Sequence, residues 1–382
     1  MYPRFFNYMK SQSFFLLGPR GTGKSTWLRA QFPEALYIDL LSEGLFQEFL
    51  RHPESLRERI LAQARPKDWV ILDEIQRVPE LLNEVQRLMS ERQQKFILTG
   101  SSARKLKKNH ANLLAGRAMT KFFSPLTATE LGDHFDIHHS LKFGHLPMTF
   151  STESPRDYLK SYVGTYLREE VQQEALVRNL SVFAYFLEVL AFSQGQVVSV
   201  SAMATDCGVD QKTAEAYIQL TEDLLIAHRI PVFQKKSKRK MSVKPKFYYF
   251  DVGVYRALRK IGPLDSDEEI QGAAIETLIF QEIRAQIHNL NLDLEIFFYR
   301  TQNKIEVDFI LYGEDGLFAI EVKRNHRIQP EDLKGLALVH LDYPKAKLFL
   351  IYSGNEERVI NESIHAVPIQ KFLKELPSYL QG

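Results

Sequence analysis

Gly18-Pro19-Arg20-Gly21-Thr22-Gly23-Lys24-Ser25 stands directly behind an apolar run, Phe14 to Leu17, and ahead of a stretch with helical spacing. Strand, glycine-rich loop and helix in that order fit the pattern G-x-x-x-x-G-K-[ST]. The glycines let backbone N–H groups curl around a phosphate, and the helix beyond them turns its positive end toward it. In that geometry Lys24 reaches the outer phosphates of a nucleotide and Ser25 can ligate Mg2+, while Gly18, Pro19, Arg20, Gly21, Thr22, Gly23 and Thr26 complete the cradle. The stretch predicts an α/β domain with a phosphate site at the edge of a parallel sheet.

Working outward, Leu36 to Leu40, Trp69 to Leu72 and Phe96 to Thr99 are further short apolar runs of the kind a parallel sheet buries on both faces. The stretches around Ser42 to Ala64 and Pro79 to Glu91 carry apolar residues at helical spacing between them. Trp69 to Leu72 ends in Asp73-Glu74, and a parallel sheet delivers its strand ends to the crevice at its carboxyl edge. Asp73 is expected there to hold Mg2+ through water, and Glu74 to polarise the attacking water as a general base. The next run ends in Thr99-Gly100-Ser101-Ser102; Thr99 or Ser101 could sense the γ-phosphate, a turn capping the following helix being the equal alternative. Arg117, in Leu114-Ala115-Gly116-Arg117, either answers the charge on a neighbouring subunit's γ-phosphate in a ring-shaped homo-oligomer or is a solvated surface arginine.

The chain has 382 residues, 45% hydrophobic and 25% charged, which excludes a largely disordered or fibrous protein and leaves room for two or three domains. Its 49 Lys and Arg against 47 Asp and Glu give a net charge of only +2, so attraction to nucleic acid has to come from a local patch. A lone cysteine, Cys207, excludes an intramolecular disulfide and any cysteine-built zinc site. With neither a leader pattern nor a membrane-spanning apolar run, the expectation is a cytoplasmic protein without membrane contact.

Three modules are expected, over 1–155, 156–262 and 263–382. The middle one is helical from Tyr158 to Phe192, then carries two short helices around Gly208 and two strand-like runs, Ile226 to Phe233 and Phe247 to Phe250. Helix-turn-helix followed by a strand pair resembles a winged-helix module. The last is helix from Ala273, three strands, helix and strand, a further α/β unit.

The order of the Gly18 to Ser25 loop, Trp69 to Glu74 and the Thr99 to Ser102 strand end resembles the AAA-type ATPase domain of a bacterial and archaeal family of ATP-binding proteins. That family's carboxy-terminal half is a domain of unknown function (DUF4143) with a nuclease-like core. Glu170 to Leu180 and Pro245 to Val254 are similar to that family's linker and post-wing segments, so the resemblance covers nearly the whole chain. It implies adenine nucleotide, which the loop alone does not.

In Phe318-Ala319-Ile320-Glu321-Val322-Lys323, period-two alternation puts Glu321 and Lys323 on one face, and in the preceding strand Asp308 lies opposite Val307, Phe309 and Leu311. If these strands are neighbours, Asp308 and Glu321 make a hard oxygen site for Mg2+, and Lys323 can orient a water for attack on a phosphodiester. Glu276 on the opening helix, then Asp308, then Glu-x-Lys resembles the PD-(D/E)xK nuclease core, although Val307 stands where that pattern has proline. A fold that kept the geometry without turnover, or an ion-pair network that only ties the strands together, are the alternatives. Lys235, Lys236, Lys238, Arg239, Lys240, Lys244 and Lys246 put seven positive charges in one short run without an acidic residue. As a wing this run would contact DNA phosphates in a salt-dependent manner; as a solvated loop it would not. The combined expectation is an ATP-hydrolysing, DNA-binding protein whose turnover gates binding or cleavage, or else an ATP-dependent regulator whose nuclease-like domain binds without cutting.

Overall fold

In the computed structural model, which describes residues 2–102, 114, 116–166, 179–234 and 244–381, five strands form one sheet. β1 (Ser13–Leu17), β2 (Leu36–Asp39), β3 (Trp69–Asp73), β4 (Lys95–Gly100) and β5 (Ala118–Phe122) lie in the order β2-β3-β4-β1-β5, every neighbouring pair parallel. Alternation explains why both faces are apolar. Phe15, Leu17, Val70, Leu72, Phe96 and Leu98 meet Phe49, Leu56 and Ile60 of the helices Glu43–Arg51 and Ser55–Gln63 on one side. Phe14, Leu16, Ile71 and Ile97 meet Trp27 and Leu28 of the helix Lys24–Gln31 on the other. β5 lies outside the runs read from the sequence, because as an edge strand it is only half-buried and keeps polar residues such as Thr120 and Lys121.

The chain divides into two compact units, one of Phe6–Pro125 with Asp223–Leu225, the other of Met1–Phe5, Leu126–Glu222 and Ile226–Gly382. Residues 126–155, assigned from sequence to the first module, therefore pack with the second unit. The cause is local: Thr127 and Glu130 close a capping box, Ala128 N–H donates to Glu282 Oε1 at 2.8 Å, and Arg4 pairs with Glu130 at 3.0 Å.

In that second unit the helices Val200–Cys207 and Gln211–Asp223 are followed by an antiparallel pair, β6 (Ala227–Ile230) with β7 (Lys246–Tyr249). The 24-residue helix Asp267–Leu290 leads to a six-stranded sheet. Its strands β8 (Glu295–Arg300), β9 (Glu306–Gly313), β10 (Gly316–Lys323), β11 (Lys347–Tyr352), β12 (Arg358–Ile360) and β13 (Ile364–Pro368) run β12-β13-β11-β10-β9-β8. β10, β11 and β13 are mutually parallel, and β9 is antiparallel to β10.

Candidate functional site

Beyond Leu17 the chain leaves the sheet with Gly18 N–H donating to Gly100 O at 3.2 Å. A Cβ at position 18 would lie 2.2 Å from the carbonyl oxygen of Phe123, so no other residue fits without moving backbone. Gly21 and Gly23 take φ of +77° and +91°, the left-handed region that bends the loop back into the helix Lys24–Gln31. Lys24 is thereby buried, its Nζ donating to Gly18 O at 2.6 Å and Pro19 O at 3.1 Å. Ser25 Oγ donates to Asp73 Oδ2 at 2.8 Å, which brings together the two residues expected to share Mg2+.

Thr99 ties the acidic pair together. Its hydroxyl donates to Asp73 Oδ1 and accepts from Glu74 N–H at 3.0 Å. Glu74 itself has a φ of 62°, and its Oε2 accepts from Gln76 Nε2 and from Ser101 Oγ, the latter at 3.3 Å. Thr99 thus lies on the Asp73 carboxylate and Ser101 on that of Glu74. Tyr37 and Gln76 are additions that the sequence reading lacks. Tyr37 donates its hydroxyl to Asp73 Oδ2, and burial, followed by the Asp73 charge, holds the phenol well above its ordinary range, so it stays a donor. The parallel register that sets Tyr37 beside Ile71, two residues short of Asp73, has no sequence signature; a glutamine two residues past the acidic pair was a weak but visible one.

In the second unit, β9 and β10 are antiparallel neighbours with Ile320 opposite Phe309, and Val322 N–H donates to Asp308 Oδ2 at 2.9 Å. Asp308 and Glu321 thus adjoin, and Lys323 Nζ reaches Glu321 Oε1 at 2.6 Å. Glu276 enters from the helix Asp267–Leu290, where it accepts from the Tyr248 hydroxyl. Gly195, at φ +69°, lets the backbone pass this carboxylate: a Cβ there would meet Glu276 Oε2 at 3.2 Å. Lys246 Nζ stands among Glu276 at 3.5 Å, Glu306 at 3.5 Å and Asp308 at 3.4 Å. Glu321 Oε2 is buried and has no hydrogen-bond partner. Among the described residues no three His, Cys, Asp or Glu side chains are gathered closely enough to hold a metal ion.

Burial, and after it the Asp308 charge, raises both Glu276 and Glu321 above the ordinary carboxylate range, Lys246 and Lys323 acting the other way. A carboxyl whose folded value exceeds its unfolded one keeps a proton that the unfolded chain has released, so stability falls as pH climbs from the ordinary range to about 8 for Glu321, then levels off. Glu321→Gln removes that loss. The melting temperature of the variant relative to wild type is expected to rise by a few degrees, roughly, between about pH 5.5 and pH 8.5. A difference independent of pH would show that Glu321 ionises normally.

Residues 10–132 match the family model of an AAA domain. The chain carries an AAA-type ATPase domain. Residues 135–265 and 271–372 match two domains of unknown function, DUF8612 and DUF4143. An uncharacterized protein of Mycobacterium tuberculosis (strain ATCC 25618 / H37Rv) is 26% identical over 368 residues, covering 94% of this chain and 80% of that protein. An uncharacterized protein of Haemophilus influenzae is 20% identical over 288 residues, covering 70% of this chain and 69% of its own. Of solved structures, the Aeropyrum pernix ORC1 protein in complex with DNA overlaps at 14% identity and a TM-score of 0.29, over 65% of this chain and 86% of that one. The Aeropyrum pernix ORC2 protein does so at 12% and 0.27, over 70% and 89%.

The AAA domain implies nucleotide binding and supports a nucleotide-hydrolysing role for the loop described above. Arg117 of this domain is exposed and precedes β5, whose first residue Ala118 pairs with Ser13, at the end of the sheet opposite Gly18. It does not join its own chain's loop. Of the basic run, Lys235, Lys236, Lys238, Arg239 and Lys240 lie outside the described residues, and Lys244 is exposed. Lys246 is a correction: it is buried in the carboxylate cluster instead of on a basic surface. Pairing of β7 with Ile230, a bridge to Val197 and period-two alternation send it inward on the same face as Tyr248. In the helix Gln211–Asp223, Glu215 and Glu222 both pair with Arg229 of β6, each at 2.6 Å.

One arrangement imitates a hydrolytic triad. Ser140 Oγ lies 2.8 Å from His145 Nε2, and His145 Nδ1 3.1 Å from Glu282. All three are buried, and the Ser140 hydroxyl donates to Asp136 O at 2.7 Å, so Ser140 is turned away from His145 and the network, in which Glu282 Oε2 is left without a partner, has no substrate access. Among the described residues, no helix is long and apolar enough to cross a membrane.

Proposed function

We propose that the AAA domain hydrolyses ATP with Mg2+ and that this turnover gates DNA binding or cleavage, the carboxylate and lysine cluster of the DUF4143 domain being a nuclease-type site. The observation that carries the first half is the Ser25 to Asp73 contact at 2.8 Å behind a buried Lys24. Lys24 would move from its loop carbonyls onto the outer phosphate oxygens, and Glu74, held by Gln76 and Ser101, would take the proton of the attacking water. Ser25 and Asp73 would hold Mg2+, which supplies charge neutralisation between the phosphates.

For the second half, the hard oxygens of Asp308 and Glu321 fit a divalent cation, as the unpartnered Glu321 Oε2 indicates. Such an ion supplies Lewis-acid polarisation of a phosphodiester. Lys323 would position the attacking water, and Glu276 would orient the cluster from the helix. An adjoining crevice of about 1080 Å³ is lined by Arg324, His326, Ser353 and Asn355 after β10 and β11 and by Lys371 and Lys374 of the helix Ile369–Gln381; Lys371 is paired with Glu357, and Arg324 and Lys374 would make the phosphate contacts. Lys235, Lys236, Lys238, Arg239, Lys240 and Lys244, which precede β7 in the sequence, would add phosphate contacts, and DNA binding is expected to weaken steeply with salt.

The Lys246 ammonium amid three carboxylates favours a second reading, an ATP-dependent regulator whose nuclease-like domain binds nucleic acid or a protein partner without cutting. Assays of ATP turnover and of cleavage on single-stranded, duplex and branched DNA and on RNA, with Mg2+ or Mn2+, separate the two. ATP hydrolysis without cleavage of any form selects the regulator; neither activity overturns both.

A further inference from the structure

Lys246 departs from ordinary ion pairing. A charge-assisted N–H···O contact is usually about 2.7–2.9 Å, whereas the Lys246 Nζ lies 3.4 to 3.5 Å from one oxygen each of Glu276, Glu306 and Asp308. It sits at nearly equal distances, as a spherical cation would. Its backbone is fixed by pairing with Ile230 and a bridge to Val197, its ammonium lies over the Phe298 ring at 5.6 Å from the centroid, and its side chain is 4% exposed. Beside it, Glu321 Oε2 is buried and unpartnered. The cluster thus has two lysines, Lys323 on Glu321 Oε1 and Lys246 among the other carboxylates, and an oxygen still lacking a partner.

We propose that Lys246 is a tethered counter-ion that competes with a divalent cation for the Asp308 carboxylate, so that metal loading requires the lysine side chain to swing out. This rests on the reading of Asp308 and Glu321 as a metal site. An ammonium and a divalent ion sharing Asp308 Oδ1 would face each other across a few ångströms of low-dielectric interior, where like charges repel strongly. Metal affinity is therefore set by the cost of displacing Lys246, and whatever draws Lys246 away from the cluster loads the site. The competition is reciprocal, as any linkage is.

The test is Mn2+ binding to the full chain, followed by electron paramagnetic resonance of the free ion, in wild type, Lys246→Met, Asp308→Asn and the double variant. Binding lost on Asp308→Asn is assigned to the cluster, which separates it from metal at Ser25 and Asp73. Lys246→Met keeps the stem and removes the charge, and it is expected to bind cluster Mn2+ about tenfold tighter or more, within the range of ordinary coupling energies. If this variant does not fold, Glu306→Gln withdraws one anchor of Lys246, spares Asp308 and Glu321, and should shift affinity the same way. Equal affinity with and without Lys246 overturns the competition but leaves the metal site standing. Weaker binding in Lys246→Met overturns it in favour of a lysine that supports the ion. No Asp308-dependent binding in any variant overturns the metal reading together with the competition.

Discussion

Lys24→Ala is expected to lower kcat/KM for ATP by at least about 100-fold, the usual cost of removing a preorganised charge from the transferring phosphoryl group. Lys24 opens the helix Lys24–Gln31 and is buried with its ammonium 2.6 Å from Gly18 O, so its job cannot be passed to a neighbouring side chain. Alanine is a strong helix former, and the apolar layer around Trp27 and Leu28 is untouched, so the fold should survive. Phosphate release and thermal melting of the same preparation separate lost chemistry from lost structure. Glu74→Gln is the informative partner variant. It keeps the loop, so nucleotide binding should persist while turnover falls. Undiminished hydrolysis in pure Lys24→Ala protein would remove the loop from the reaction.

The loop was legible because its chemistry is local: eight consecutive residues carry the glycines, the ammonium and the hydroxyl, and the strand before them is apolar on both faces. Asp73 and Glu74 were legible for a similar reason, at the end of a run buried from Val70 onward. What stayed hidden depends on tertiary register. Tyr37 reaches Asp73 only through the pairing of β2 with β3, and nothing in Leu-Tyr-Ile-Asp announces it. β5 was invisible because an edge strand needs only one covered flank and its residues mix polar with apolar. Lys246 misled for the opposite reason. A lysine in a run of lysines reads as solvated, and only its position as first residue of β7, two before Tyr248, sends it inward. Asp308 and Glu321 could be placed together because alternation fixes the facing side once the strands are neighbours, whereas Glu276, on a helix, came from the resemblance alone; neither says which cation they face.

Asp308→Asn and Lys323→Ala are each expected to reduce Mg2+-dependent DNA cleavage by at least about 100-fold while leaving ATP hydrolysis unchanged. Asn at 308 preserves shape and can still accept from Val322 N–H, so the strand pairing holds while one charged ligand is lost. Lys323→Ala leaves Asp308 and Glu321 in place but removes the ammonium 2.6 Å from Glu321, so metal binding should persist while the chemical step fails. That split between the two variants, ligand against water-positioning group, is what an ion-pair network would not produce. A network serving only to tie β9 to β10 predicts lower melting temperatures in both variants and no cleavage to lose. Wild-type protein that cuts no DNA or RNA form with Mg2+ or Mn2+ would leave two accounts, the regulator and a nuclease shut by Lys246. Lys246→Met decides how to take such a result. Cleavage gained on removing Lys246 would mean that the site is competent but held shut by its own lysine, whereas continued silence would assign the carboxylates to binding or to structure.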